Sequence, residues 1–170
     1  KYTEKTETPA DVWIVEDNLL YRDGTEAILN ASGVLRCGKV FTRCQDAADA
    51  IREGDAPDVV LMDVGLPGMS GIDGIPVIRS LAPSVKILIL TVHEEYDVVF
   101  RAICAGASGY LLKSASAGQI VGAISGVIEG GAPMNAQTAR KVLDAFSGAF
   151  ASSPDYGLTA REREVLQHLV

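Results

Sequence analysis

Acidic residues stand at two places in this 170-residue chain where a short apolar run ends: Glu16 and Asp17 after VWIV, and Asp63 after VVLM. Further on, Thr91 closes VKILIL and Lys113 follows YLL. Carboxylates brought within a few ångströms repel one another, and they stay ionised together only when a cation joins them. A hard, oxygen-seeking ion such as Mg²⁺ suits them, since it takes one or two carboxylates and keeps positions for a phosphoryl oxygen. A carboxylate beside such an ion can attack a phosphoryl donor to form an aspartyl phosphate. A lysine ammonium would then absorb charge on the transferred oxygens. Asp63 is the expected nucleophile, with Glu16 and Asp17 as metal ligands and Gly65 adding a backbone carbonyl. Lys113 and the Thr91 hydroxyl are expected to grip the phosphoryl group. Taken singly, each residue has a plainer use: EDN at 16–18 as an acidic helix start, Asp63 as a turn former before GLPGMSG, and Lys113 as the point where a buried strand meets water.

What gives the group its meaning is the set of elements that must carry it. VWIV (12–15), VVLM (59–62), VKILIL (85–90) and YLL (110–112) are continuous apolar runs, with a weaker KVF (39–41) between the first two. Runs of this kind mark strands buried on both faces of a parallel sheet. The intervening segments fit helices: LLYRDGTEAIL (19–29, apolar at 19, 20, 27, 28 and 29), AADAI (47–51) and YDVVFRAICAGA (96–107). Alternating strand and helix predicts a doubly wound α/β fold with five parallel strands, in which ligands gather at the carboxyl ends of the strands. Glu16, Asp17, Asp63, Thr91 and Lys113 all fall at such ends.

Composition agrees with one full domain and part of a second. Hydrophobic residues make up 48% of the chain, and no apolar run is long enough to span a bilayer. A soluble, cytoplasmic protein is expected. The three cysteines, Cys37, Cys44 and Cys104, show no metal-ligand spacing and read as packed, reduced thiols. The whole net charge of −7 falls before residue 135. Such an acidic body repels nucleic acid phosphates and offers no DNA-binding surface of its own.

The strings VEDN, VVLMDVGLPGMSG, ILTVHEE and GASGYLLKSAS resemble the response regulator receiver domains over residues 10–131. The resemblance implies a flavodoxin-like receiver with strand order 2-1-3-4-5, phosphotransfer from a sensor histidine kinase, and a regulator rather than an enzyme. It further implies that Thr91 and the aromatic Tyr110 relay occupancy of the site to the face of the fourth helix, fifth strand and fifth helix. Three positions depart from the commoner pattern: Gly65 has no side chain to shield or orient water, Val92 is bulky, and His93 adds a titratable group. Pro76 requires the third helix to begin close to it or to bend. Two other classes fit less well. A haloacid dehalogenase-like phosphatase also uses a strand-end Asp with Mg²⁺, but it needs a second Asp where Gly65 stands. A flavodoxin-like cofactor binder needs a Ser/Thr-rich phosphate loop where Glu16 and Asp17 stand.

Residues 132–157 read as a linker helix and connector. NAQTARKVLDAFSGAF places Ala139, Val142, Leu143, Phe146 and Phe150 on one face, with Asn135 as its cap. LTAREREVLQHLV (158–170) opens with Thr159 and Glu162 at capping-box spacing. It resembles the first helix of the LuxR-type helix-turn-helix domain of NarL-like regulators, which implies DNA binding through a domain mostly missing here. No initiating Met is present and Val170 falls inside a helical pattern, so the sequence reads as part of a longer chain. One feature lies outside the resemblance. Glycines recur at Gly118, Gly122, Gly126 and Gly130, opposite a stripe of Ile120, Val121, Ile124, Val127 and Ile128. Each internal glycine costs a helix about 1 kcal/mol against alanine. A face that a second helix approaches closely would offset that loss; the resemblance implies pairing through the first and fifth helices, as NarL-like receivers often do, and the linker helix is a second candidate to dock there, so Gly118, Gly122 and Gly126 are expected to carry a homodimer contact in the phosphorylated protein.

Overall fold

The computed structural model describes residues 8–151, the side chains of 145–151 excepted. The expected alternation is present: β1 (Ala10–Val15), α1 (Leu19–Ala31), β2 (Leu35–Phe41), α2 (Cys44–Arg52), β3 (Val59–Met62), α3 (Gly71–Leu81), β4 (Lys86–Thr91), α4 (Tyr96–Ala105), β5 (Gly109–Leu112), α5 (Ala117–Ile128) and α6 (Ala136–Ala151). All strand pairings are parallel, in the order β2-β1-β3-β4-β5. The expected helix-turn-helix start at 158–170 lies outside the described residues. Among the described residues no helix is long and apolar enough to cross a membrane.

Successive strand residues point to opposite faces, and here both faces are covered. Val12, Ile14, Leu61, Leu88 and Leu90 meet Leu29, Ile120, Ile124 and Val127 of α1 and α5. Trp13, Val15, Val60, Met62, Ile87 and Ile89 meet Ala47, Ile51, Ile75, Ile78 and Val99 of α2, α3 and α4. Two-sided burial is why the strands are apolar without alternation. β2 is the exception, an edge strand whose residues from Arg36 to Phe41 are half-buried or exposed, which is why only KVF stood out. It pairs with β1 through a register shift at Val12/Trp13.

Helix starts follow local capping chemistry. Asn18, Ser70 and Ser116 each accept from a backbone N–H of the first turn, and Ser116 with Gln119 completes a capping box. α3 begins five residues before Pro76, so a full turn precedes the ring and the helix does not start beside it. Gly71, the first residue of α3, has no room for a side chain, since a Cβ there would lie 1.9 Å from the Asp63 carbonyl oxygen. Its bareness lets the helix start against the strand end that carries Asp63.

Several expectations need correction. In α1 the inward residues are Thr25 and Leu29, whereas Leu20 is 85% exposed, so the apolar pair at 19 and 20 is not a core face. In α5, Ala123 is buried and Ile128, the last residue of the helix, is 41% exposed. Gly130 sits at φ 91° just past the α5 C-cap, so it ends the helix and does not belong to the stripe. Cys44 is buried against Met62, but Cys104 is exposed. Burial pushes the Cys37 and Cys44 thiols up to about 11, which leaves both poor nucleophiles.

Candidate functional site

The carboxyl ends of β1, β3, β4 and β5 converge on one edge of the sheet. Backbone bonds fix their relative depth: Asp63 N–H donates to the Val15 carbonyl at 3.0 Å and Lys113 N–H to the Thr91 carbonyl at 2.8 Å. Glu16 is anchored in the same way, its N–H donating to the Phe41 carbonyl of β2 at 2.9 Å. As a result the five residues picked from the sequence occupy one small volume. Glu16, Asp63 and Thr91 are buried, Lys113 is half-buried, and Asp17 faces solvent.

Lys113 is the hub. Its ammonium lies 2.6 Å from Glu16 Oε2 and 2.8 Å from Asp63 Oδ2, and 4.8 Å from the centre of the Tyr21 ring. Sequence reading assigned Lys113 to a phosphoryl group and Glu16 to a metal. In the structure the ammonium itself is the cation that sits between the two buried carboxylates. Tyr21 was not singled out, although its place one turn into α1 brings it over the strand ends. The remaining valences of the carboxylates are met locally: Asn18 N–H donates to Glu16 Oε1 at 3.0 Å and Val64 N–H to Asp63 Oδ1 at 2.7 Å.

Burial alone would raise the Asp63 carboxyl, but hydrogen bonds from Lys113 and Thr91, the lysine charge and the Val64 N–H together hold it below its ordinary value. Burial alone would lower Lys113, and its bonds to Asp63 and Glu16 reverse that and raise it. Both groups are therefore firmly charged near neutrality. Carboxylate oxygens of Glu16, Asp17 and Asp63 all lie within 4.8 Å of one another. Hard oxygen donors at this spacing need only a small closure to share an ion whose bonds are about 2.1 Å long.

Gly65 lies beside Asp63: a Cβ there would be 3.8 Å from Asp63 Oδ2 and 4.0 Å from His93 Nε2. His93 Nδ1 is 3.3 Å from the Glu95 carboxylate. Thr91 is fully buried, and its hydroxyl accepts from the His93 N–H at 3.4 Å. Tyr110 is fully buried too, with its hydroxyl donating to the His93 carbonyl at 2.8 Å. Burial pushes the Tyr110 hydroxyl far up, so it remains a donor.

A doubly wound parallel sheet with an acid cluster, a lysine and a buried hydroxyl at its carboxyl edge defines a receiver-type α/β domain. Residues 12–125 match the family model described as the response regulator receiver domain, and the chain belongs to that family. It is 35% identical over 164 residues to the transcriptional regulatory protein YxjL of Bacillus subtilis, covering 93% of this chain and 74% of that protein. With the response regulator UvrY of Escherichia coli K12 it shares 32% identity over 160 residues, or 92% of this chain and 72% of that one. Among solved structures, a LuxR-family two-component response regulator from Aurantimonas sp. SI85-9A1 superposes with a TM-score of 0.75 at 28% identity, covering 82% of this chain and 99% of that one. The signal receiver domain of the putative regulator NarL from Mycobacterium tuberculosis gives 0.69 at 29% identity, covering 73% and 99%. The chain is thus a two-component response regulator of the NarL/LuxR type, concerned with control of transcription. Nothing in these likenesses supports the haloacid dehalogenase alternative.

Proposed function

We propose that Asp63 accepts a phosphoryl group from the phosphohistidine of a sensor kinase, and that this charge on the receiver controls DNA binding by a following LuxR-type domain. The observation that carries the reading is the Lys113 ammonium held between Asp63 and Glu16, with Asp17 at the solvent side. An Asp63 oxygen attacks phosphorus, the P–N bond to the kinase imidazole breaks, and the imidazole nitrogen keeps the electron pair and takes a proton. Lys113, already bonded to Asp63, needs little reorganisation to follow charge onto the phosphoryl oxygens. The Thr91 hydroxyl donates to the same group. Glu16, Asp17, Asp63 and the Gly65 carbonyl are the oxygens that would hold Mg²⁺. When bound, the ion supplies positive charge that draws the phosphoryl donor in and stabilises the transfer. The test is labelling by a small phosphodonor with Mg²⁺, read by intact mass in the wild type and in an Asp63 variant.

Mg²⁺ should stabilise the fold by mass action, by about 2.7 kcal/mol at a hundredfold excess over its dissociation constant. Asp17→Asn is expected to weaken that response while raising metal-free stability slightly, by a few tenths of a kcal/mol, because Asp17 is exposed and its repulsion of Glu16 and Asp63 is screened. Melting temperatures with and without Mg²⁺ check both parts. A clear fall in the metal-free melting temperature contradicts the repulsion argument.

The homodimer is proposed to form across the outer faces of α1 and α5. Cβ atoms added at Gly118, Gly122 or Gly126 would meet nothing within 4 Å, so these glycines do not serve the core of their own domain. Gly24 of α1 is equally open, and Leu20 beside it is 85% exposed. Gly122→Arg is expected to abolish dimerisation of the phosphorylated protein while leaving phosphorylation intact, and Gly122→Ala to stabilise the monomer slightly. Sedimentation of the phosphorylated proteins decides, and a Gly122→Arg protein that dimerises like the wild type removes this face from consideration.

A further inference from the structure

Arg43 stands where a residue of its type is locally unfavourable. It is the N-cap of α2, and its side chain makes no capping bond to the helix. Short oxygen-bearing side chains suit that position, because they accept from the N–H groups of the first turn. A cation there also opposes the positive end of the helix dipole. A serine would make the better helix start, so the local structure gives no reason for an arginine. The guanidinium is without a partner as well. Among the described residues, every other lysine and arginine except Lys86 is paired with a carboxylate or bonded to a backbone carbonyl. Lys86 opens β4 and so stands at the edge of the sheet remote from the acid pocket. Arg43 is thus an exposed, uncommitted cation in a protein of net charge −7.

Its place in the fold is nonetheless defined. Arg43 follows closely on Phe41, whose carbonyl takes the Glu16 N–H at 2.9 Å. Its guanidinium reaches the β3–α3 loop that carries Gly65, since a Cβ on Gly68 would lie 3.7 Å from Arg43 Nη2. β2 and β3 are not neighbours, because β1 runs between them. The side chain therefore spans the width of β1 at its carboxyl end, the end that leads into Glu16 and Asp17. A phosphodonor bound for Asp63 comes in at this edge, where three carboxylates lie together and Lys113 is engaged with two of them. With Mg²⁺ on the carboxylates, that group and Lys113 sum to no net charge and offer an anionic donor no long-range attraction. Arg43 adds the positive charge that the pocket itself lacks.

We propose that Arg43 is a donor-capture residue: its free guanidinium draws the dianionic phosphoryl group of a phosphodonor to the mouth of the pocket, at the expense of a good cap for α2. This rests on Asp63 being the phosphoacceptor, and one experiment separates the two. Labelling of the full chain by acetyl phosphate with Mg²⁺ is followed by intact mass over a range of donor concentrations, at low and high ionic strength, in the wild type, Arg43→Ser and Arg43→Lys, alongside their melting temperatures. In low salt the rate of Arg43→Ser at subsaturating donor is expected to fall about threefold, the order expected for losing one charge that faces a dianion. The rate at saturating donor and the final extent of labelling should hold. The deficit should close at high salt, and Arg43→Lys should keep most of the wild-type rate. The melting temperature of Arg43→Ser should rise, because a serine caps α2, whereas a role in folding alone would lower rate and stability together. An Arg43→Ser protein that labels at the wild-type rate in low salt overturns donor capture and leaves Asp63 as the acceptor. So does a deficit that survives high salt, or one that Arg43→Lys shares in full. A wild type that takes up no label removes the acceptor assignment, and donor capture with it.

Discussion

Asp63→Asn is expected to reduce phosphoryl uptake from acetyl phosphate to background, against one phosphoryl group per chain in the wild type. The asparagine keeps the shape and its oxygen can still accept from Lys113, but it is no longer a nucleophile at neutral pH. Glu16 still pairs with the ammonium at 2.6 Å, so the fold should survive. Neither neighbouring carboxylate can replace Asp63. Glu16 is 3% exposed and already bonded to the Asn18 N–H and Lys113, and Asp17 is exposed to solvent. Intact-mass spectrometry of both proteins under identical donor and Mg²⁺ concentrations checks this. Equal labelling would sink the assignment of Asp63 and every role built around it.

The second large effect concerns stability. Lys113→Met keeps much of the side-chain volume but removes the one ammonium shared by two buried carboxylates, and breaking a buried pair from one side costs about 3 kcal/mol or more. For a domain of this size that amounts to a fall of roughly 10 °C in melting temperature without metal. The pH dependence gives a sharper signature. Asp63, held below its ordinary value, contributes stability that is present above about pH 4 and lost as pH falls through its folded value. Lys113, held above its ordinary value, contributes stability that is complete below about pH 10 and lost as pH rises through its folded value. The pair therefore stabilises the wild type across that window. In Lys113→Met the buried Asp63 carboxyl loses the bond and the charge that held it down and its pKa rises, so acidification from pH 7 to pH 5 should stabilise the variant relative to the wild type. Mg²⁺ should also raise its melting temperature by more than in the wild type, because the ion no longer competes with the ammonium for the same oxygens. A variant with wild-type melting temperatures at pH 7, with and without Mg²⁺, contradicts this account of the site.

The site was legible because each of its members terminates a strand, and strands buried on both faces announce themselves as apolar runs. What could not be read was the reach of side chains. Nothing in the spacing of Glu16 and Lys113 shows that one ammonium bridges Glu16 and Asp63, nor that Tyr21 lies over it. β2 was seen only as KVF, because an edge strand with Arg36 and Lys39 exposed carries little apolar signal. α6 illustrates a different limit. Its apolar face was visible in Ala139 and Val142, but Thr138, the most deeply buried of its described residues, is polar and belongs to no stripe. The partner of a helix face is set by tertiary packing, and a single sequence does not record which surface will receive it.

The pairing of Tyr110 with the segment after α5 bears on what counts as the smallest sound piece of this protein. Unpaired strand edges invite other chains to add on, and proteins blunt them with charge, proline or a covering segment. At one border of the sheet, β2 presents Arg36 and Lys39 to solvent. At the other, Pro133 lies against β5, taking the Tyr110 N–H, and its own ring nitrogen has no hydrogen to offer a further strand. Gly109 makes room for it, since a Cβ there would come within 2.8 Å of the Pro133 carbonyl oxygen. The family match stops at residue 125, short of this seal. A fragment cut at that boundary would keep every residue of the acid pocket and still leave the β5 edge uncovered as a template for other chains, so the acid pocket is complete in a smaller piece than the sealed sheet.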